Sequence, residues 1–358
     1  MSAKDRSASS ESIRPETFSP RRRPTINDIA RLARVSKKTV SRVINQSPFV
    51  KEETREKINA IIAEHGYTPD PQARGLAFRR SFLIGFVYDN PNPQYVVNAQ
   101  QGILDGVRGT GFELVIRPCD RGSSTFLSDM RNFVERQKLS GMVLFPSVSE
   151  DERLIELLQE LDCPYVRIAS VALEDDAEAM IVSHDHVGGR EAARHLADLG
   201  HTRIAHISGP DSFRSSHERR RGFAEGLAAR GLRLDPRYDL KASYTFDSGV
   251  EAATQLLAMA ERPTAIFTGN DEMALGVYKA AHEAGLTVPA DLSVIGFDDS
   301  PIASRIHPTL TTVRMAIREM GRMAAERLLS GRDGQARAAA EVDIQPKLIA
   351  RESTAAPA

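Results

Sequence analysis

Residues 37–45 read Lys-Lys-Thr-Val-Ser-Arg-Val-Ile-Asn and contain no acid. At 3.6 residues per turn, Val40, Val43 and Ile44 share one helical face and Lys37, Lys38, Ser41, Arg42 and Asn45 are left on the other. Surface helices ordinarily mix acids with bases. A face of Lys, Arg, Asn and Ser donors alone suits the major groove of duplex DNA, where Arg and Lys read guanine edges and Asn reads adenine. The plainer reading of the same residues is a solvated helical module. A second group lies further along: Asp89 and Asn90, Asp120, Ser147, Ser170, His184 and Asp185, Asn270 and Asp271, and Asp298 and Asp299, each just after an apolar, strand-like run. Taken singly these are cap or turn residues, and Asn270 with Asp271 could simply cap the helix behind them. Gathered at one cleft they would offer the paired donors and acceptors that a polyhydroxylated ligand requires.

The elements that must position these residues are legible. Thr25 can cap a helix, with Asp28 three residues on near the positive end of the dipole and Ile29, Ala30 and Ala33 on one face. Arg34 and Val35 turn the chain, Ser36 caps the helix over 37–45, and a third helix over 51–65 turns Ile58, Ile61 and Ile62 inward before Gly66 closes it. The all-α part is thus a helix-turn-helix headpiece over 24–69. Pro71, Ala73, Leu76 and Ala77 suggest a short hinge helix within 70–80, too short to hold alone in water and weakened by Gly75. From Phe82 the chain alternates apolar strands with amphipathic helices, which predicts an α/β body of parallel sheets covered on both faces. Strands are expected over 83–88, 113–117, 142–145, 165–169, 179–183, 203–208, 265–268 and 293–297, with a representative helix over 189–199. The alternation restarts near residue 180, as two similar halves in series would. Ligands of such sheets bind beyond the carboxyl ends of the strands.

Charge divides the same way. Residues 21–80 hold 14 Lys/Arg and 6 Asp/Glu, whereas the chain from Ser81 holds 30 and 39, although the net charge of all 358 residues is only −1. A basic module on an acidic body is the footprint of a protein that meets phosphate at one end. Residues 1–23 read as a disordered polar tail without the apolar core of a secretory signal, and no apolar run is long enough to span a membrane. Cys119 and Cys163 fit neither a metal spacing nor a disulfide framework, so the reducing cytoplasm is the expected location. No Gly-x-Gly-x-x-Gly follows the first strand, where Tyr88-Asp-Asn-Pro-Asn-Pro stands, and there is no P-loop lysine and no nucleophile elbow. Neither an enzyme nor a cofactor is expected. No metal site is expected either, although His184, His186, His201 and His206 cluster in sequence. A transport-type sugar-binding protein would share the two halves but would have no use for residues 21–80.

The residues over 25–45, with Thr54-Arg-Glu-Lys-Ile58 and Gly66-Tyr-Thr-Pro-Asp70, resemble the headpiece of the lactose/purine repressor (LacI/GalR) family. The body resembles that family's periplasmic-binding-protein-like core through Val182-Ser-His-Asp185, Gly200-His-Thr-Arg-Ile-Ala205, Glu218-Arg219 with Gly222-Phe223, Thr268 to Gly276, Val294 to Asp299 and Pro308 to Thr312. The resemblance implies that Lys37, Lys38 and Arg42 reach base edges, and that Thr25, Ser36, Thr39, Asn45 and Tyr67 touch mainly the backbone. It further implies a hinge helix with Ala73, Leu76 and Ala77 that folds when two subunits pair on the operator, Leu76 wedging into the minor groove. In the cleft it points to Arg219, Asn270 and Asp298, with Tyr95 and Tyr244 against the ligand. With the strand-end residues, the expected lining is Asp89, Asn90, Tyr95, Ser147, Ser170, Arg219, Tyr244, Asn270, Asp271 and Asp298. The implied body runs over 81–350, with lobe 1 about 81–180 plus 313–340, lobe 2 about 181–312 plus 341–350, and a short tail over 351–358. The implied protein is a bacterial, nucleoid-associated repressor of carbohydrate genes, a homodimer on palindromic double-stranded operator DNA, released by a sugar inducer. Co-repression by the ligand is the alternative, and the tail lacks the leucine heptads of a tetramerisation helix. Two departures stand out: Lys51 replaces a small capping Ser, and Ala169, with Arg167 two residues earlier, replaces an acid, so ligand identity does not carry over.

Overall fold

Helix α1 (Ile26–Ala33) starts at Thr25, whose hydroxyl accepts from the Asp28 amide at 3.4 Å while the Asp28 carboxylate takes the Thr25 amide at 2.9 Å. This reciprocal cap satisfies amides that a helix start leaves open. The computed structural model describes residues 24–44, 47, 49–67, 81–172, 179–333 and 344–358. Arg34 turns at φ 55°, and α2 (Lys37–Ile44) begins where the Ser36 hydroxyl accepts from the Thr39 amide at 3.1 Å. Helix α3 (Glu52–His65) ends at Gly66, whose φ of 60° suits a residue without Cβ. Lys51 makes no side-chain cap bond, in keeping with its departure from the family pattern. Ile29, Ala33, Val40, Val43 and Ile58 form the buried core, and Ile61 and Ile62, expected inward, are half-buried at its margin. Asn45, the 1–23 tail and the hinge with Ala73, Leu76 and Ala77 lie outside the described residues.

The chain divides after Arg79 into two compact units, and the second holds two sheets. Lobe 1 is built on β1 (Leu83–Tyr88), β2 (Glu113–Pro118), β3 (Gly141–Leu144), β4 (Tyr165–Ala169) and β5 (Met180–Val182), all parallel, in the order β2-β1-β3-β4-β5. Lobe 2 is built on β6 (Ile204–Ser208), β7 (Asp239–Lys241), β8 (Ala265–Thr268), β9 (Ser293–Asp298), β10 (Thr311–Arg314) and β11 (Lys347–Ile349), in the order β11-β10-β9-β8-β6-β7. Only β11 runs antiparallel. The eight expected strands are present within a residue or so of their bounds, while β7, β10 and β11, short segments without a long apolar run, were not anticipated.

Helices cover both faces: α4 (Pro93–Val107), α5 (Phe126–Gln137), α6 (Glu152–Glu160), α7 (Asp185–Asp198), α8 (Arg214–Ala228), α9 (Phe246–Leu257), α10 (Asp271–Glu283) and α11 (Ile317–Asp333). Helix α11 packs on α4, so the chain passes from lobe 2 to lobe 1 after β10. Helices α7 and α8 cross with almost no separation. A Cβ on Gly189 would stand 2.1 Å from the Arg219 carbonyl oxygen, and one on Gly222 would stand 1.8 Å from that of His186. That contact places the first residue of α7 beside the middle of α8. Residues 351–358, expected as a short tail, pack onto lobe 2. Ser353 is fully buried and its hydroxyl accepts from the Thr311 amide at 2.8 Å, while Ala355 and Thr354 hydrogen-bond His201 and His195, each at 2.9 Å. An Ala-Pro-rich composition hid this role, because the bonds run through the backbone and two hydroxyls.

Candidate functional site

On the headpiece, Lys37, Lys38 and Arg42 are exposed on α2, whose opposite face buries Val40 and Val43. Ser36 is exposed and bonded to the half-buried Thr39 at 2.9 Å, and Thr25, Ser41 and Tyr67 are half-buried. The expected basic face is therefore brought together on one short helix. Phe49, beyond the end of α2, stands 86% exposed, a large apolar side chain that the sequence reading had not singled out.

In the second unit the carboxyl ends of both sheets face one cleft. It is lined by Asn90, Asn92 and Tyr95 after β1, Pro146 after β3, Ser183 and Asp185 after β5, and Phe213, Ser215 and Arg219 after β6. Tyr244, Asn270, Asp298 and Met315 complete it from the ends of β7 to β10. The close crossing of α7 and α8 lets Arg219 donate from Nε to Asp185 Oδ1 at 2.8 Å and from Nη1 to the Gly269 carbonyl. The guanidinium lies 3.8 Å from the centre of the Phe297 ring, and its Nη2 is 3.9 Å from Asp298 Oδ1. Burial alone would weaken the charge on Arg219, but Asp185, Tyr244 and Asp298 overcome it and hold the guanidinium ionised more firmly than usual. Burial pushes the Asp298 carboxyl up to about 8; Arg219 opposes the rise, and Asp271 and Asp185 add to it. Tyr95 and Tyr244 are likewise held as phenols by burial.

Three features mark this cleft as more than a gap between lobes. The Tyr244 hydroxyl and Asp298 Oδ1 are buried and find no hydrogen-bond partner among the described residues. Such orphans cost free energy unless something else satisfies them. Tyr244 and Asp298 also sit at φ 61° and 108°, left-handed backbone that side chains rarely adopt and that concentrates at binding sites. Finally, the lobes are joined across the cleft by Asn92 Nδ2 to Asp298 Oδ2 at 3.2 Å, and by Arg121, which pairs with Asp89 at 2.6 Å and donates to the Ser212 carbonyl at 3.1 Å.

Of the ten residues expected in the lining, Asn90, Tyr95, Arg219, Tyr244, Asn270 and Asp298 are there. Asn270 is also the cap its position allowed, accepting from the Met273 amide at 2.9 Å. Asp271 is a correction. It is fully buried, and its oxygens take the Ser300 amide at 2.7 Å, the Ser300 hydroxyl at 2.8 Å and the Thr312 hydroxyl at 2.6 Å. Burial lifts its carboxyl to about 6, and it ties the ends of β9 and β10 rather than facing the cleft. Asp89 and Ser147 are committed to each other at 2.9 Å, and buried Ser170 gives its amide to Glu150 at 2.9 Å, outside the lining. Arg167 turns away, donating to the Ser149 carbonyl at 2.7 Å and to Glu152 at 2.8 Å. Asn92, Pro146, Ser183, Phe213, Ser215 and Met315 line the cleft without having been expected, as does Asp185, noted only as a strand-end residue. For Asn92 the signal was present: an Asn before Pro93 is a helix start, and its side chain caps α4 while reaching across to Asp298.

Residues 25–70 match the model of bacterial regulatory proteins of the lacI family, and residues 193–354 match a periplasmic binding protein-like domain. A probable HTH-type transcriptional repressor, ExuR of Bacillus subtilis (strain 168), is 33% identical over 312 residues, covering 86% of this chain and 91% of the relative. The chain belongs to the lacI family. This lacI-family protein is a DNA-binding transcriptional repressor and not an enzyme. Among solved structures, the lac repressor dimer bound to operator and the anti-inducer ONPF is 30% identical with a TM-score of 0.75, covering 94% of this repressor and 100% of that chain. A CelR–cellobiose complex is also 30% identical, with a TM-score of 0.69 and coverage of 92% and 100%. Among the described residues of this repressor, no helix is long and apolar enough to cross a membrane.

Proposed function

We propose that this repressor holds a palindromic operator as a homodimer and releases it when a sugar or sugar derivative binds between the lobes of the body. The observation that carries the ligand half is the pair of buried, unpartnered atoms, Tyr244 Oη and Asp298 Oδ1, on two residues that neighbour the fixed Arg219 guanidinium. One is a donor-acceptor, and the other accepts when ionised and can donate while the Asp298 carboxyl, lifted to about 8, holds its proton. With the Arg219 fork they match the alternating hydroxyls of a sugar, and the Tyr95, Phe213 and Tyr244 rings offer its apolar faces a surface. The bound cellobiose of the related CelR complex supports the same class.

On the DNA side, Lys37, Lys38 and Arg42 read base edges while Ser36, Thr39 and Thr25 meet the backbone, and Leu76 of the hinge enters the minor groove. One headpiece reads only a few base pairs, so two half-sites are needed. Val97 and Leu104, 40% and 39% exposed on α4, give lobe 1 an apolar stripe suited to a second copy. Closing the lobes alters how the paired lobes 1 meet, and coupling of about 1–3 kcal/mol would change operator occupancy roughly 5- to 150-fold. The test is a mobility shift on a labelled palindromic duplex with salt and sugar titrations. Salt-dependent preference for the palindrome, lost on adding one sugar, is the expected result. Equal affinity for random duplex would refute the proposal, and tightening by the ligand would convert it to co-repression.

A further inference from the structure

Asp298 and Asp299 close β9 with two successive left-handed residues, at φ 108° and 51°, and neither is a glycine. A side chain disfavours that backbone, so the pair persists only where its surroundings hold it. The Asp298 side chain does little of the holding. Among the described residues its Oδ1 has no hydrogen-bond partner, and its Oδ2 accepts from Asn92 at 3.2 Å, across the cleft.

Asp299, in contrast, is clamped. Its Oδ2 accepts from Arg314 Nε at 2.6 Å, its Oδ1 accepts from Arg351 Nη2 at 2.5 Å, and its amide donates to the Thr312 hydroxyl at 3.3 Å. Arg351 is itself fixed: Nη1 donates to the Leu310 carbonyl at 2.7 Å, and its amide donates to the Thr311 hydroxyl at 2.9 Å. A planar guanidinium serves a carboxylate and a carbonyl at once in one fixed geometry, which a lysine ammonium does not. The next residue, Ser300, is tied to Asp271 through its amide and hydroxyl at 2.7 and 2.8 Å. Asp299, Arg314 and Arg351 do not line the cleft. Asp299 and Arg314 line a separate groove, which shares Asp298 and Met315 with the cleft as a common wall.

We infer that Arg351 and Arg314 are positioning residues of the effector cleft: by gripping Asp299 they keep its neighbour Asp298 in the backbone conformation that presents its carboxyl to the cleft. The chain beyond β11 then belongs to the sensor as well as to the fold. Arg351 carries the larger share, being 17% exposed against 57% for Arg314, since a pair in water holds less firmly. This rests on reading the cleft as the effector site, but its test needs no effector, so the two can fail separately.

The experiment uses the full-length repressor with isotope-labelled aspartate and follows the Asp298 carboxyl by infrared titration, its band identified by its loss in Asp298→Asn. In the parent the carboxyl titrates at about 8 because it is buried. In Arg351→Met the grip is gone and the carboxyl turns to water, so its titration point should fall by about 2 pH units or more, and by less in Arg314→Met. Arg351→Lys, which keeps the charge without the fork, should lie between Arg351→Met and the parent. Removing a cation that acts only through its field would instead raise the point, because the ionised form loses an attraction. A rise, or no change, in Arg351→Met and Arg314→Met overturns the inference. Ser353→Ala loosens the same return without touching the clamp, and should lower the melting temperature while Asp298 titrates as in the parent. An equal fall in Ser353→Ala would mark general loosening and overturn the inference as well. Should Arg351→Met not fold, Arg314→Met and Arg351→Lys decide by the same sign.

Discussion

Lys37, Lys38 and Arg42 stand exposed on a helix without an acid, whereas Arg219, Asp185 and Asp298 are buried between two lobes and act on one another. The first set needs only one short helix and the modest core behind it. Its charges stay in water until DNA arrives, so they cost folding little and their affinity is open to salt. The second set must be taken out of water and still kept ionised or hydrogen-bonded, which demands partners at fixed distances. The body meets that demand with a near-contact of α7 and α8 and with strained backbone at Tyr244 and Asp298. The two regions thus place their costs differently: the headpiece at binding, the cleft at folding.

The sharpest way to break this contrast is Gly189→Val, whose side chain would collide with the Arg219 carbonyl now 2.1 Å from the site of a Cβ. Destabilisation of about 3 kcal/mol is expected, with loss of effector binding as Asp185 and Arg219 part. A thermal melt unchanged from the parent would show that the crossing does not set the site. Next comes Arg42→Ala, which should weaken operator binding on the order of 10- to 100-fold while the melt of the body stays put. A gel shift and a melt on the same preparation decide it, and equal operator affinity would remove Arg42 from the interface. The smallest effect concerns protons. With the Asp298 carboxyl at about 8, a ligand hydroxyl that donates to its ionised form must displace a proton on binding. Affinity should then rise with pH, by at most about tenfold per unit, and level off above about 8; the Asp298→Asn protein should show no such slope. Calorimetry in buffers of different ionisation enthalpy would read the released proton directly.

The headpiece was readable because its signals are local. Thr25 with Asp28, Arg34 and Gly66 mark helix ends within a turn of where they act, and the α2 pattern needs only residues adjacent in sequence. The long parallel strands were readable for the same reason, as near-continuous apolar runs. The short β7, β10 and β11 were not, since what makes them strands is pairing with β6, β9 and β10. In the cleft, chemistry was legible but direction was not. Asp271 and Asn270 are neighbours with similar side chains, yet one caps α10 at the cleft wall and the other turns to Ser300 and Thr312. Nothing in their order reveals which way each carboxylate or amide points, because Ser300 and Thr312 are distant in sequence. Asp185 gains its role only through a helix crossing that the spacing of Gly189 and Gly222 does not announce.

The return of residues 352–355 onto lobe 2 has a consequence for synthesis. Until Ser353 has reached the Val294 and Thr311 backbone, and Ala355 has reached His201, the sheet of lobe 2 lacks bonds that no earlier stretch of chain supplies. A growing polypeptide can therefore shape its headpiece long before its sensor is whole. The part that faces DNA is shaped first, and lobe 2 is closed up only after residues 353–355 have been made.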